Sequence, residues 1–212
     1  HQTYHYWHVF VQGLNAGQTY AYRAYGPYQP EKGLRFDASK VLLDPYAKAV
    51  VGDDLYNRQA AQVVGKDNCE QALRGIVVDS SIYDWEGDQP LRHPYASSVI
   101  YEMHVGGFTR TPNSDVAPFR RGTFAGLIEK IPYLKNLGIT AVELLPVHCF
   151  DPEAAPADLI NYWGYNTINF FTPHWAYSSD KTPLGPLNEF RDMVKALRKS
   201  GLEVILDVVF NH

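Results

Sequence analysis

Residues 202–212, LEVILDVVFNH, constrain this chain more than any other stretch. The first eight, Leu202 to Val209, are nearly all apolar and rich in β-branched side chains. Such a run suits a parallel strand buried on both faces. Asp207 is the acidic residue near its end, and counting by twos it shares a face with Val209 and Asn211. A carboxylate in a buried strand costs several kcal/mol unless it is paired, so Asp207 is expected to have a partner in the sheet or barrel interior. Asn211 and His212 fall where the strand ends, and ligands of parallel α/β folds bind at the C-terminal ends of strands. A lone Asp there serves equally well as a structural acceptor, and spacing alone leaves both roles open.

The residues leading to this run alternate strand and helix patterns. Ser98 to Val105, SVIYEMHV, reads as a strand closed by Gly106-Gly107. Glu102 and His104 share one of its faces and are expected to form a satisfied polar pair in the interior rather than a catalytic one. Thr123 is placed to N-cap a helix whose apolar residues Phe124, Leu127, Ile128, Ile131, Leu134 and Leu137 recur at helical spacing. Pro132 should kink or restart that helix, and Gly138 should end it. Ile139 to Leu145 is the next strand, closed by Pro146, and Leu187 to Lys199 the next helix, ended by Gly201. The order βαβαβ implies a parallel sheet with right-handed crossovers. A doubly wound sheet and a (β/α)8 barrel both begin this way, but no Gly-x-Gly-x-x-Gly follows the first strand. Between Val147 and Pro186 lies a loop of about 40 residues, where such loops usually run about 2 to 6. It contains Asn161-Tyr162-Trp163-Gly164-Tyr165-Asn166, in which Gly164 allows a tight bend beside large rings. Those rings suit either a sugar platform or a self-packed loop cluster.

At the front, Tyr4 to Val11 and Thr19 to Tyr25 are two strand-like runs around a Gly13–Gly17 turn, and are expected to pair as a hairpin. Their alternate rings are expected to face the core of a small β-sandwich rather than a glycan. From Val51 to Ser97 the pattern weakens to turn clusters, with Ile76-Val77-Val78 as a short strand, and reads as a packed connector.

A formal charge of −4 offers no basic patch for nucleic acid, and no uncharged apolar run of about 18 residues offers a membrane span. No signal peptide is visible. Two distant cysteines, Cys69 and Cys149, make no disulfide framework, which points to a reducing cytoplasm. The chain starts at His1 and stops inside a strand-end motif, so it reads as a piece of a longer protein. The histidines His104, His148, His174 and His212 lack metal-site spacing and no carboxylate cluster suggests calcium; neither metal nor cofactor is expected.

The string Asp-Val-Val-Phe-Asn-His closely resembles the first signature region of the α-amylase superfamily of glycoside hydrolases, at the end of the third barrel strand. VIYEMHVGGFTR and GITAVELLPV resemble the first and second barrel strands of its isoamylase-type debranching enzymes, NYWGYNTINFFTP the matching loop, and GPYQPEKGLRFDASKVLLDPYAKAV the end of the preceding β-sandwich module. The resemblance implies an α/β fold holding the first three strands of a (β/α)8 TIM barrel, preceded by part of an all-β sandwich. The expected division is 1–50 for the carbohydrate-binding-like module, 51–97 for the connector and 98–212 for the barrel part. By the same likeness, Tyr165 would stack on the sugar ring before the scissile bond and His212 would hydrogen-bond its hydroxyls. Asp207 would hold an arginine of the next strand, and Asn211 would brace the loop. The implied partner is a branched α-glucan, cut at α-1,6 linkages with retention by carboxylates that follow His212, so this chain alone would be inactive. The implied location is cytoplasmic, or plastid in a plant. A branching transferase, a trehalose-releasing hydrolase and a non-catalytic glucan-binding protein are the alternatives.

Overall fold

The front of the chain does not form the expected hairpin. In the computed structural model, which describes residues 1–211, β1 (Gln2–Thr3) pairs antiparallel with β2 (Tyr6–Trp7). β3 (Thr19–Tyr20) pairs with neither. After a second small hairpin, β4 (Tyr28–Gln29) with β5 (Leu34–Arg35), come β6 (Val50–Val51), α1 (Arg58–Gln62) and β7 (Arg74–Ile76). β7 is the centre of an antiparallel sheet of order β3-β7-β6, so residues from the weakly patterned connector complete the front sheet. Gly75 makes this possible, since a Cβ there would stand 3.0 Å from the Tyr20 ring and 3.1 Å from Ala47. The 4–11 run has apolar residues at both odd and even positions, so no register hides one face and wets the other. Its rings point outward: Tyr4, Tyr6, Trp7 and Phe10 are 76–88% exposed, contrary to the inward-facing expectation.

The second half follows the βαβαβ reading. β8 (Ile100–Met103) is followed by α2 (Val105–Thr109), α3 (Phe124–Glu129), α4 (Ile131–Asn136) and β9 (Ala141–Leu144). Then come β10 (His148–Phe150), β11 (Thr167–Pro173), α5 (Gly185–Lys199) and β12 (Glu203–Leu206). β8 and β12 both pair parallel with central β9, and Glu102, Glu143 and Ile205 share one rung. Thr123 caps α3 by accepting from the Gly126 N–H at 3.2 Å, and the helix breaks at Lys130 and restarts with Pro132 in its first turn. Tyr101, Met103, Val142, Leu144, Val204 and Leu206 pack on the helical side chains Phe124, Leu127, Leu134, Met193 and Leu197.

The opposite face of this sheet is open. Ile100 is 52% and Ile205 36% exposed, and Glu102 is exposed as well. The final strand is therefore not buried on both faces, because β12 lies at the sheet edge and only the helix-side face is covered. It also stops at Leu206. The Asp207 N–H still reaches the Leu144 carbonyl at 2.9 Å, after which Pro146 has no N–H to continue the ladder.

The long loop is organised by the antiparallel pair β10–β11, which sits on the front module. Asn169 Nδ2 donates to the Asp44 carbonyl and Thr172 Oγ1 to the Ala47 carbonyl, both at 2.8 Å, and the Tyr46 and Phe171 rings stack at 5.5 Å. Ile168 and Trp175 pack on Ala47, Val50 and Leu73. The segment 83–88 straps α5 from outside. Arg198 pairs with the buried Asp88 carboxylate at 2.7 Å, and Glu86 takes Lys195 and Lys199.

One buried carboxylate joins three elements of this half. Glu189 on α5 accepts from the N–H groups of Ala125 on α3 at 2.9 Å, Ser179 at 2.9 Å and Asp180 at 3.0 Å, and from the Ser179 hydroxyl at 2.8 Å. Burial pushes its pKa up, but the N–H groups of Ser179, Ala125 and Asp180 pull harder, so it lies below the ordinary glutamate value. Its contribution is thus present at neutral pH and fades as pH falls through that lowered value. Glu189→Ala leaves those donors unpaired and is expected to cost about 2–4 kcal/mol. Denaturant unfolding of the two proteins checks this, and an unchanged midpoint would contradict it.

Candidate functional site

The site lies at the C-terminal ends of β8, β9 and β12, where the chain leaves the sheet at His104, Leu145 and Asp207. Asp207 is half-buried just past β12, not within a buried strand. The partner its carboxylate requires comes from the long loop: the Tyr165 hydroxyl donates to Asp207 Oδ2. That bond, then burial, then the charges of Asp207, Glu102 and Glu143 push the Tyr165 hydroxyl up to about 12. The open side of the sheet is therefore acidic, and Tyr165 stands at its rim with 40% of its surface exposed.

The loop is held over the strand ends by a knot of rings around His104. This residue does not pair with Glu102 inside the sheet. The chain turns at His104 into α2, and its Nδ1 accepts from the Gly107 N–H at 2.9 Å as an N-cap. Its other nitrogen, Nε2, must then carry the proton, and it lies 2.8 Å from the Tyr162 carbonyl and 3.1 Å from the Tyr177 hydroxyl. The imidazole stacks on the Tyr162 ring at 4.0 Å and 4°. Burial lowers its pKa, which favours the neutral form these contacts use. The strand ends at Met103, before the expected Gly106-Gly107 stop, and both glycines lie inside α2. A Cβ on Gly107 would collide with the Tyr162 hydroxyl, and one on Gly106 would sit 3.0 Å from the His104 ring. Asn161 Oδ1 accepts from the Gly164 N–H at 3.2 Å, and Gly164 has φ +78° with the Phe150 ring 2.7 Å from where a Cβ would stand, so the turn carrying Trp163 and Tyr165 is tightly held. Trp163 is 57% exposed.

The structure thus brings Tyr165 and Asp207 together. Asn211 is exposed at the end of the segment that Asp207 begins, and His212 lies outside the described residues. Phe210 of that segment lies 5.8 Å from His148 and 5.7 Å from Phe170, which leans it on the β10–β11 pair. Among the described residues, no three His, Cys, Asp or Glu side chains gather in a group that could hold a metal ion. Sequence reasoning missed the role of His104 and the contribution of Tyr162 and Tyr177. The available signal was the Gly106-Gly107 pair two residues past the histidine, since adjacent glycines mark close approach by another group.

Residues 87–212 match the family model for the alpha amylase catalytic domain. The chain belongs to the alpha-amylase family. Its parallel sheet is the opening of that family's (β/α)8 barrel, and residues 1–47 match carbohydrate-binding module 48, the isoamylase N-terminal domain. Over 97% of its length this family member is 46% identical to the glycogen debranching enzyme of Serratia proteamaculans, and 41% identical to the glycogen operon protein GlgX homolog of Mycobacterium tuberculosis. It spans 32% and 30% of those two proteins, about a third. Among solved structures, 81% of it superposes on the catalytic module of the pneumococcal glycogen-degrading virulence factor SpuA with TM-score 0.67 and 31% identity, covering 26% of that chain. It superposes similarly on the maltose complex of type I pullulanase from Bacillus subtilis, with TM-score 0.62 and 34% identity over 81% of this chain and 23% of that one. No helix among the described residues is long and apolar enough to cross a membrane.

The Tyr165–Asp207 bond has a direct readout. Asp207→Ala removes both the charge and the acceptor that raise the Tyr165 hydroxyl, so the titration of that ring should move from about 12 toward the ordinary tyrosine value of 10.0. Titration of the Tyr165 ring carbon by NMR checks this, and an unmoved titration would show that the bond is not made.

Proposed function

We propose that this chain is part of a glycogen- or starch-debranching hydrolase that cleaves α-1,6-glucosidic branch linkages with retention. The observation that carries the reading is Tyr165 fixed to Asp207 over the C-terminal ends of the barrel strands, where a sugar ring can lie against an exposed aromatic face beside carboxylates. The relatives named for glycogen debranching and glycogen degradation support it. In this proposal Tyr165 stacks on the ring before the scissile bond and His212 bonds its hydroxyls. Asp207 holds an arginine of the fourth strand once that strand is present, and Asn211 braces the loop. The nucleophile and acid/base, set roughly 5–5.5 Å apart in retaining enzymes, belong to later strands that follow His212.

The division of the chain proposed with it is a binding-type module at 1–50, a connector at 51–97 that also lends β7 to the module's sheet, and the barrel part at 98–212. The substrate is a branched α-glucan and the setting cytoplasmic, with both cysteines free, Cys69 exposed and Cys149 buried. A second reading, a non-catalytic glucan-binding protein, is favoured by the exposed rings of Tyr4, Tyr6, Trp7 and Phe10.

The test compares this chain with a longer parent enzyme that contains it, on a branched glucan. The parent should release linear chains, and the 212-residue chain none. Turnover by the short chain would contradict the proposal, as would new branches or trehalose as the parent's products.

A further inference from the structure

We propose that His104 is a positioning residue for the glucan site: its Nε2–H holds the Tyr162 carbonyl and thereby fixes where Trp163 and Tyr165 stand. The inference rests on the glucan reading for what the loop binds, but not for how the loop is held.

The geometry separates two jobs on one ring. Nδ1 accepts from Gly107 at 2.9 Å and starts α2, a contact within four residues of chain. Nε2 lies 2.8 Å from the Tyr162 carbonyl, a contact that spans 58 residues and ties the first barrel strand to the aromatic loop. The tie acts on a turn with little freedom, since Asn161 closes it onto Gly164 and Gly164 is backed by Phe150. Tyr162 lies inside that turn, Trp163 stands perpendicular to both the Tyr162 ring at 5.2 Å and the His104 ring at 6.3 Å, and Tyr165 follows. Releasing the Tyr162 carbonyl therefore lets this stiff turn shift as a unit, and the exposed rings it carries shift with it. The glycines at 106 and 107 leave room for the imidazole–Tyr162 stack, so the packing accommodates the ring and not merely a capping atom.

Because the two nitrogens do different work, two amide substitutions separate them. In His104→Asn the side-chain oxygen stands near the place of Nδ1 and can still accept from Gly107, but it does not reach Tyr162. In His104→Gln the amide nitrogen stands near the place of Nε2 and can still donate to the Tyr162 carbonyl. The affinity of the 212-residue chain for maltohexaose is measured by calorimetry for wild type, His104→Ala, His104→Asn and His104→Gln, with thermal midpoints recorded alongside. The expected result is a loss of about tenfold or more for Ala and Asn, and Gln within about threefold of wild type. Recovery by Asn and not by Gln would overturn the proposal, since it would reduce His104 to a helix cap; so would an unchanged Ala variant. The Trp163 indole N–H resonance gives a second readout that needs no sugar. It should shift in the Ala and Asn variants and stay near the wild-type position in Gln. If wild type binds no maltohexaose but this resonance follows that order, the glucan reading fails and the His104 tie stands. If the resonance is the same in all four proteins, the tie itself is refuted.

Discussion

The hydrogen bond from the Tyr165 hydroxyl to Asp207 is the contact on which the site depends. It joins the tip of a long loop to the end of the third barrel strand, across 42 residues of chain. A half-buried carboxylate such as Asp207 needs a donor, and an exposed tyrosine ring needs an anchor if its face is to be presented in one orientation. Each supplies what the other lacks. The ring stays exposed while its hydroxyl is held, an arrangement suited to stacking against a sugar.

That bond requires a scaffold that fixes both ends. One end is set by central β9, which pairs with β8 and β12 and accepts the Asp207 N–H through Leu144. The other is set by the β10–β11 pair, seated on the front module through Asn169, Thr172 and the Tyr46–Phe171 stack. His104 closes the frame by joining the first strand to the loop. The front module thus has a mechanical part in the site, because the pair that carries the loop's base is packed against it.

Much of the barrel half was legible in the sequence, because its signals are local. Thr123, Pro132, Gly138 and Gly201 each act within a few residues of themselves, and the apolar periodicity of α3, α4 and α5 follows from which face meets the sheet. The front was misread for a physical reason. Residues 4–11 have the composition of a strand, but strand pairing is a choice among distant partners, and Thr19–Tyr20 pairs with Gly75-Ile76, more than fifty residues away. Asp207 was expected to need a partner, but Tyr165 could not be identified as that partner from spacing, since the loop between them folds back only through the β10–β11 pair. The cap on α2 was hidden in the same way. A histidine on a strand face and one at a helix start look alike in sequence until the two glycines after it are read as space for a ring.

The central claim is that sugar is held at the barrel strand ends and not on the exposed rings of the front. The most direct measurement is the affinity of the chain for a branched α-glucan oligosaccharide, in wild type, Tyr165→Ala and Trp7→Ala. The account requires that affinity collapse on Tyr165→Ala and persist on Trp7→Ala. Affinity lost on Trp7→Ala and kept on Tyr165→Ala would contradict it and place the binding surface on the front module.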